Sequence, residues 1–340
     1  MDQQNNNNIT INGLKFATNH FDCNPEELEV LSVKGGYSLN RRSIVGFNGD
    51  WIFVKEVDTS ILSSDGKEEL QWQKKDYDCA NLLKKYLPEI VPEWEKLSND
   101  GHVLIMPAYR EVDGWIWNLP AEEKEVNKYI QAVIDTNENL EKLKIDSSTI
   151  DKLNLNPYLR DKLALDSGLT LVINNQEIRN ELINKYKYMS QNSSYEKLSS
   201  QINNMIDFLQ NDKALKDLAQ KASSIINQPN ECLGHSDVRS DNIAYNTRTG
   251  QLKLVDWNWA SIVPKGFGVT EFLVDVSRLG VDVTKWVDKL NIEFLAAFVS
   301  FFLRCCLKEP LSAESTLRDV QAQSAAVSLN LYIKTVKNLN

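Results

Sequence analysis

The chain reads as an α+β protein, with a small β-rich N-terminal part built around one helix and a larger, mainly helical part after it. Three observations lead there. The strand-like runs Arg42 to Phe47 and Trp51 to Lys55 flank Asn48-Gly49-Asp50, and Asn-Gly between β-rich runs is a strong hairpin signal. From Ala121 onward apolar residues recur at helical spacing, as in Val126, Ile130, Val133 and Ile134. Between Leu233 and Trp259 the pattern returns to short strands and loops.

Each element follows from local signals. Residues 1–12, opening on MDQQNNNN, form a polar segment expected to be a disordered leader. Glu29 to Val33 is a short apolar run that ends at Lys34-Gly35-Gly36, and the hairpin follows. Lys67 to Tyr86 reads as a long polar helix carrying Leu70, Tyr77, Leu82 and Leu83. Val103 to Met106 is a further strand, stopped by Pro107, which has no N–H to donate. Helices are expected over Ala121 to Leu143, Ile178 to Met189, Tyr195 to Ile226, Val281 to Leu307 and Leu317 to Val336. Asn154 to Asn175 fits an insertion or a loop-rich linker. The two parts, 13–108 and 109–340, meet near Met106 to Tyr109, and a crevice between two packed parts is a common ligand site.

Composition removes several classes of function. A formal net charge of −9 leaves no broad basic face for nucleic acid, which needs clustered Lys and Arg. The five cysteines are odd in number and include no C-x-x-C pair, so neither a disulfide framework nor a zinc site is expected. Free thiols suit a reducing, cytoplasmic setting. The leader has no apolar core of the signal-peptide type. Phe294 to Leu307, the most apolar stretch, is interrupted by Arg304 and too short to span a bilayer, so a core helix is expected and no membrane partner.

The sharpest feature lies in Cys232 to Ala260. It contains His235-x-Asp237-x-x-x-x-Asn242, and Asp256 follows at the end of the apolar strand Leu252 to Val255. Taken singly, Asp237 and Asn242 could be turn formers. As an ordered set they match the needs of phosphoryl transfer, in which the protein mainly positions groups and neutralises charge. Asp237 suits the carboxylate that accepts a proton from an attacking hydroxyl. Asn242 and Asp256 offer the oxygen ligands that Mg2+ prefers.

His235-Ser236-Asp237-Val-Arg-Ser-Asp-Asn242 resembles the catalytic loop of the aminoglycoside phosphotransferase-like family, written H-G-D-x-x-x-x-N, with Ser236 in place of the usual Gly. Val255-Asp256-Trp257 resembles the family's metal-binding strand end. Gly35-Gly36-Tyr37-Ser38-Leu39-Asn40 resembles its phosphate-covering turn, where glycine lets backbone approach phosphate. Lys55 falls where the family's ATP-binding lysine sits. Among Glu68, Glu69, Asp76 and Asp78, its acidic partner on the following helix is expected to be Asp78, from its distance to Leu82 and Leu83. Leu104 to Ala108 resembles the adenine-binding hinge, with Met106 and Ala108 as contacts and the Ala108 N–H as donor. Phe272-Leu273-Val274-Asp275 resembles the segment whose aspartate braces the catalytic loop, and His235 is a structural member of that loop.

The resemblance implies a protein-kinase-like two-lobed fold, with 13–108 as the nucleotide-binding lobe and 109–340 carrying the catalytic loop and acceptor site. It implies ATP and Mg2+ as cofactors and transfer of the γ-phosphoryl to a hydroxyl of a small molecule, aminoglycoside-like or another hydroxylated amine. Asp161, Asp166, Glu177 and Glu181 and the acidic pI are compatible with a cationic acceptor. The alternative class is a nucleotide-binding pseudoenzyme acting as a regulatory or binding module.

Overall fold

Asn48 and Gly49 take φ of 51° and 92°. Two left-handed residues in succession make a tight turn whose twist matches the strands it joins. The turn sets strand β2 (Arg41–Phe47) against β3 (Asp50–Glu56) with Phe47 opposite Asp50 and Arg42 opposite Lys55. The computed structural model describes residues 9–33, 40–57, 65–153, 155, 163, 167–309 and 316–339. Gly35, Gly36 and Ser38 lie outside these residues, as do Asp161 and Asp166. The chain forms two compact units, one of residues 1–136 and 241–260, the other of residues 137–240 and 261–340.

In the first unit β1 (Glu29–Ser32), β4 (Lys96–Leu97) and β5 (Val103–Pro107) complete an antiparallel sheet of order β1-β2-β3-β5-β4. Val45, Ile52, Val54, Val103 and Ile105 bury one face of it. Helix α1 (Ile11–Phe21) covers that face through Ala17, Leu14, Phe16 and Phe21, with Ile9 buried just before it. This corrects two expectations: the N-terminal part holds a second helix, and residues 9–12 are not part of a leader. Thr10 caps α1 by accepting from Gly13 N at 3.1 Å. Glu56, at the far end of β3, accepts from Thr10 N at 3.0 Å and from the Thr10 hydroxyl. The anchor of this helix therefore lies a whole sheet away in the chain.

Helix α2 (Asp65–Leu83) buries Gln73, Asp76, Cys79, Ala80 and Leu83, a single face at i, i+3, i+4 and i+7 spacing. A second sheet joins β6 (Trp115–Trp117), β8 (Ile243–Asn246) and β9 (Leu252–Leu254) in the order β6-β8-β9. The β9 end is tied to the 88–91 loop: Leu254 N donates to Ile90 O at 2.7 Å, and the buried Lys253 ammonium donates to Val91 O at 2.8 Å. Helix α3 (Glu123–Leu140) buries Tyr129, Ile130, Val133 and Ile134, largely the face its period predicts.

The second unit is mainly helical. It contains α4 (Ser147–Lys152), α5 (Gly168–Asn174), α6 (Gln176–Gln191), α7 (Ser199–Leu209) and α8 (Asp212–Ser223). The antiparallel pair β7 (Cys232–Gly234) and β10 (Ser261–Val263) belongs to it, as do α9 (Phe267–Arg278), α10 (Ile292–Cys305) and α11 (Leu317–Leu339). The helix expected over Tyr195 to Ile226 is broken, because the Asn211 side chain accepts from Ala214 N at 3.0 Å and starts a new helix there. The apolar stretch forms α10, which packs against α11, α8 and α5. It begins only at Ile292, after a 3-10 turn over Thr284–Lys289. Among the described residues no helix is long and apolar enough to cross a membrane. None of the five cysteines forms a disulfide, and Cys79, Cys232, Cys305 and Cys306 are buried.

Helices α5 and α10 touch backbone to backbone. A Cβ built on Gly168 would lie 2.1 Å from the Ser300 carbonyl oxygen, and Leu169 N donates to Ser300 Oγ at 3.2 Å. Gly168→Ala must push the two helices apart, and we expect it to lower stability by about 1–3 kcal/mol. Urea denaturation of the two proteins measures this.

Candidate active site

Alternation along β3 sends Ile52 and Val54 into the core and Lys55 to the opposite face. Lys55 is nonetheless buried, and its ammonium lies 2.7 Å from Asp256 Oδ1 and 3.3 Å from Asp76 Oδ2. Burial alone would lower the lysine's pKa. The charges of Asp256 and Asp76 outweigh that and hold it above the ordinary lysine value, so the group stays cationic. Burial pushes the Asp76 carboxyl up, yet both of its oxygens accept: one from Lys55, the other from Trp257 N at 2.7 Å. That is the geometry of a carboxylate bridging a cation and an amide.

Asp78 is not the partner of Lys55. It pairs with Lys74, one turn back on the exposed side of α2. Helical phase explains the correction: Asp76 lies seven residues before the fully buried Leu83, on the inward face, while Asp78 lies four residues before the half-buried Leu82. The signal was present in the sequence, as the spacing of Gln73, Asp76, Ala80 and Leu83.

Asp256 takes φ 66° and ψ 54°. This left-handed conformation costs a non-glycine residue roughly 1–2 kcal/mol and is characteristic of functional positions. It follows the strand and precedes a 3-10 turn, Trp257–Trp259, whose first indole is fully buried and donates to Leu254 O at 3.0 Å. Asn242 is buried, and its carbonyl accepts from Val255 N at 3.0 Å. The bond closes the β8–β9 hairpin one residue short of Asp256. Two neutral-or-anionic oxygen side chains are a donor set that suits a hard cation whose remaining ligands are waters and phosphate oxygens.

The hinge needs a second correction. Met106 is buried and pairs with Phe53, and the Ala108 N–H, expected to be a free donor, bonds to Trp51 O at 3.1 Å. Tyr109 is buried, its hydroxyl donates to Glu93 at 2.8 Å, and its carbonyl accepts from Trp117 Nε1 at 2.9 Å.

The second unit carries the other half of the motif. His235 is fully buried. Ser236 takes φ 64°, a conformation open to glycine at no steric cost, and its hydroxyl lies 2.8 Å from that of Ser261. The Asp237 carboxylate is 3.2 Å from Arg239 Nη1. Two acids one turn apart on α9 hold the loop's amides. Asp275 accepts from Ser240 N and Ser240 Oγ, both at 2.8 Å, and is itself paired with Arg278. Glu271 accepts from Val238 N at 2.8 Å. Burial, and then the charge of Asp237, push the Glu271 carboxyl up to about 8. Glu271 also escaped the sequence, although its place four residues before Asp275 puts both acids on one helix face.

No family profile matches the chain, and no curated protein matches it by sequence. Solved structures do match. Ethanolamine kinase from Plasmodium vivax aligns with a TM-score of 0.53 over 95% of this chain and 88% of that one, at 13% identity. A thermostable mutant of the aminoglycoside phosphotransferase APH(4)-Ia aligns with a TM-score of 0.50 over 95% of this chain and 98% of the other, at 11% identity. The likeness is one of fold. This chain has a protein-kinase-like α+β fold, with an antiparallel sheet in its N-terminal part and helices in its C-terminal part.

Two outcomes follow from the charges. Asp76→Ala strands the buried Lys55 with one carboxylate and should lower stability by on the order of 3 kcal/mol. Asp78→Ala removes an exposed i,i+4 pair and should change it by less than about 0.5 kcal/mol; chemical denaturation ranks the two. For Glu271 the folded pKa lies above its ordinary value, so the folded protein holds a proton that the unfolded chain has released. Stability contributed by this group falls as pH rises from about 4.5, the ordinary value, to 8. Glu271→Gln keeps an oxygen for Val238 N and abolishes the titration. Its stability relative to wild type should therefore increase between pH 5 and 8, as followed by urea denaturation at each pH.

Proposed function

We propose that this protein is an ATP- and Mg2+-dependent phosphotransferase that moves the γ-phosphoryl group of ATP to a hydroxyl of a small molecule. The observation that carries this is Lys55, buried and cationic between Asp76 of α2 and the left-handed Asp256 at the end of β9. Hydrophobic residues would pack a sheet face at lower cost than the two buried charges of Lys55 and Asp76 with the half-buried Asp256 beside them. A lysine held by a helix acid, next to an acid that can turn to a metal, supplies what polyphosphate binding requires.

Lys55 steadies the phosphates, while Asp76 keeps the lysine placed and charged. Asn242 and Asp256 would hold Mg2+, which would supply positive charge to offset that of the transferring phosphoryl. Asp237 orients the acceptor hydroxyl for in-line attack and takes its proton. Asp275, Glu271 and the buried His235 keep the loop around Asp237 in one shape. Gly35, Gly36 and Ser38 cover the phosphates. At the hinge, backbone directions alternate along an extended segment. With the Ala108 N–H used by Trp51, the Tyr109 N–H and the Pro107 carbonyl become the groups that meet adenine, beyond the point where β4 pairs with Ile105.

A hydroxylated amine is the proposed acceptor class. The net charge of −9 favours a cation, and Glu177 and Glu181 lie exposed on α6. Two of the solved structures that share the fold are named for ethanolamine and for aminoglycosides, which are hydroxylated amines.

The test is Mg2+-dependent ATP turnover of wild type and Asp237→Ala against a panel of hydroxylated amines, aminoglycosides and sugars. We expect acceptor-stimulated turnover that falls roughly 10²–10⁴-fold in the variant, with Mg·ATP still raising the variant's Tm. Equal turnover in the two proteins would remove Asp237 from the chemistry. A wild type that neither binds nor turns over ATP would sink the proposal.

A further inference from the structure

The β2–β3 hairpin sets a second cation beside Lys55. Arg42 stands directly opposite it in the antiparallel register, and side chains so paired share a face with Cβ atoms about 4.5–5.5 Å apart. Like charges at such a pair destabilise a sheet. Arg42 is half-buried, and the negative charges of Asp256, Glu69 and Asp241 act on it. Its Nη1 also donates to Asn40 O at 3.3 Å, and the Asn40 amide donates to Glu69 at 3.1 Å. Asp256, paired with Lys55 at 2.7 Å, thus also bears on the charge of Arg42.

Anchoring α2 does not explain this arrangement. Lys55 already ties β3 to that helix through Asp76, and a second cation on the same face adds repulsion that acids must offset. The guanidinium is a planar fork that binds phosphate oxygens in pairs, a geometry an ammonium lacks. Resting on the nucleotide-binding function proposed above, we infer that Arg42 is a second polyphosphate-binding residue. It engages the phosphate chain beside Lys55, so that affinity depends on phosphate number through two cations rather than one.

The experiment compares the affinities of wild type, Arg42→Ala and Arg42→Lys for ATP, ADP and adenosine in the presence of Mg2+, by calorimetry, with thermal unfolding of each protein alone. Losing a charge-assisted contact should weaken ATP binding by on the order of 10- to 100-fold in Arg42→Ala. Adenosine affinity should change by less than about 2-fold, since the nucleoside offers no charged oxygens to that contact. Arg42→Lys, which keeps the charge and loses the fork, should fall between, and it carries the comparison if the alanine variant does not fold. An equal loss for ATP and adenosine would mark Arg42 as a purely structural strand residue and overturn the inference, as would unchanged ATP affinity. A wild type that binds adenosine and ATP alike, or neither, defeats the phosphotransferase proposal itself, and the two failures are told apart by the wild-type data alone.

Discussion

A lysine ammonium withdrawn from water needs an anion within a few ångströms, and Lys55 has two. Satisfying it recruits three distant stretches of chain. β3 supplies the lysine, α2 must present Asp76 on its inward face, and the β9 end must turn left-handed to deliver Asp256. Asp76 then bonds the amide of Trp257, which fixes the turn after β9. Removing any one member leaves a buried charge short of its partner, so the three contacts form one cooperative unit rather than three independent ones.

The second unit solves a related problem with backbone rather than with a cation. A loop of consecutive polar residues has amide groups that the regular ladders do not use. Asp275 and Glu271, spaced by one helical turn, accept from Ser240 and Val238. Burial, and after it the nearby charge of Asp237, pushes the Glu271 carboxyl well above its ordinary value. Ser236 holds a conformation normally left to glycine, supported by its contact with Ser261. A left-handed Ser236 and a buried, crowded acid thus lie close to Asp237.

Much of this was legible because its signals are local. Asn48-Gly49 announces its hairpin, and the structure adds the pairing of residues 42 and 55. The apolar period of α3 appears in the buried residues Ile130, Val133 and Ile134. What escaped had a non-local cause. α1 owes its start to Glu56, the long helix after Tyr195 ends because an asparagine side chain competes for the backbone at 211, and β6 forms only because β8 lies beside it. The partner of Lys55 was misjudged by two residues, a displacement of more than half a helical turn, which exchanges an inward acid for an outward one.

By itself the sequence determined the class of elements, the place of the hairpin turn and the order of the polar motif, because each rests on neighbours a few residues apart. Only the tertiary structure decided which acid meets Lys55, that the Ala108 amide is already used, and that Glu271 stands behind Asp237. Those depend on which face of a helix or strand is buried against a distant segment, and burial is a property of the packed chain rather than of any stretch of it.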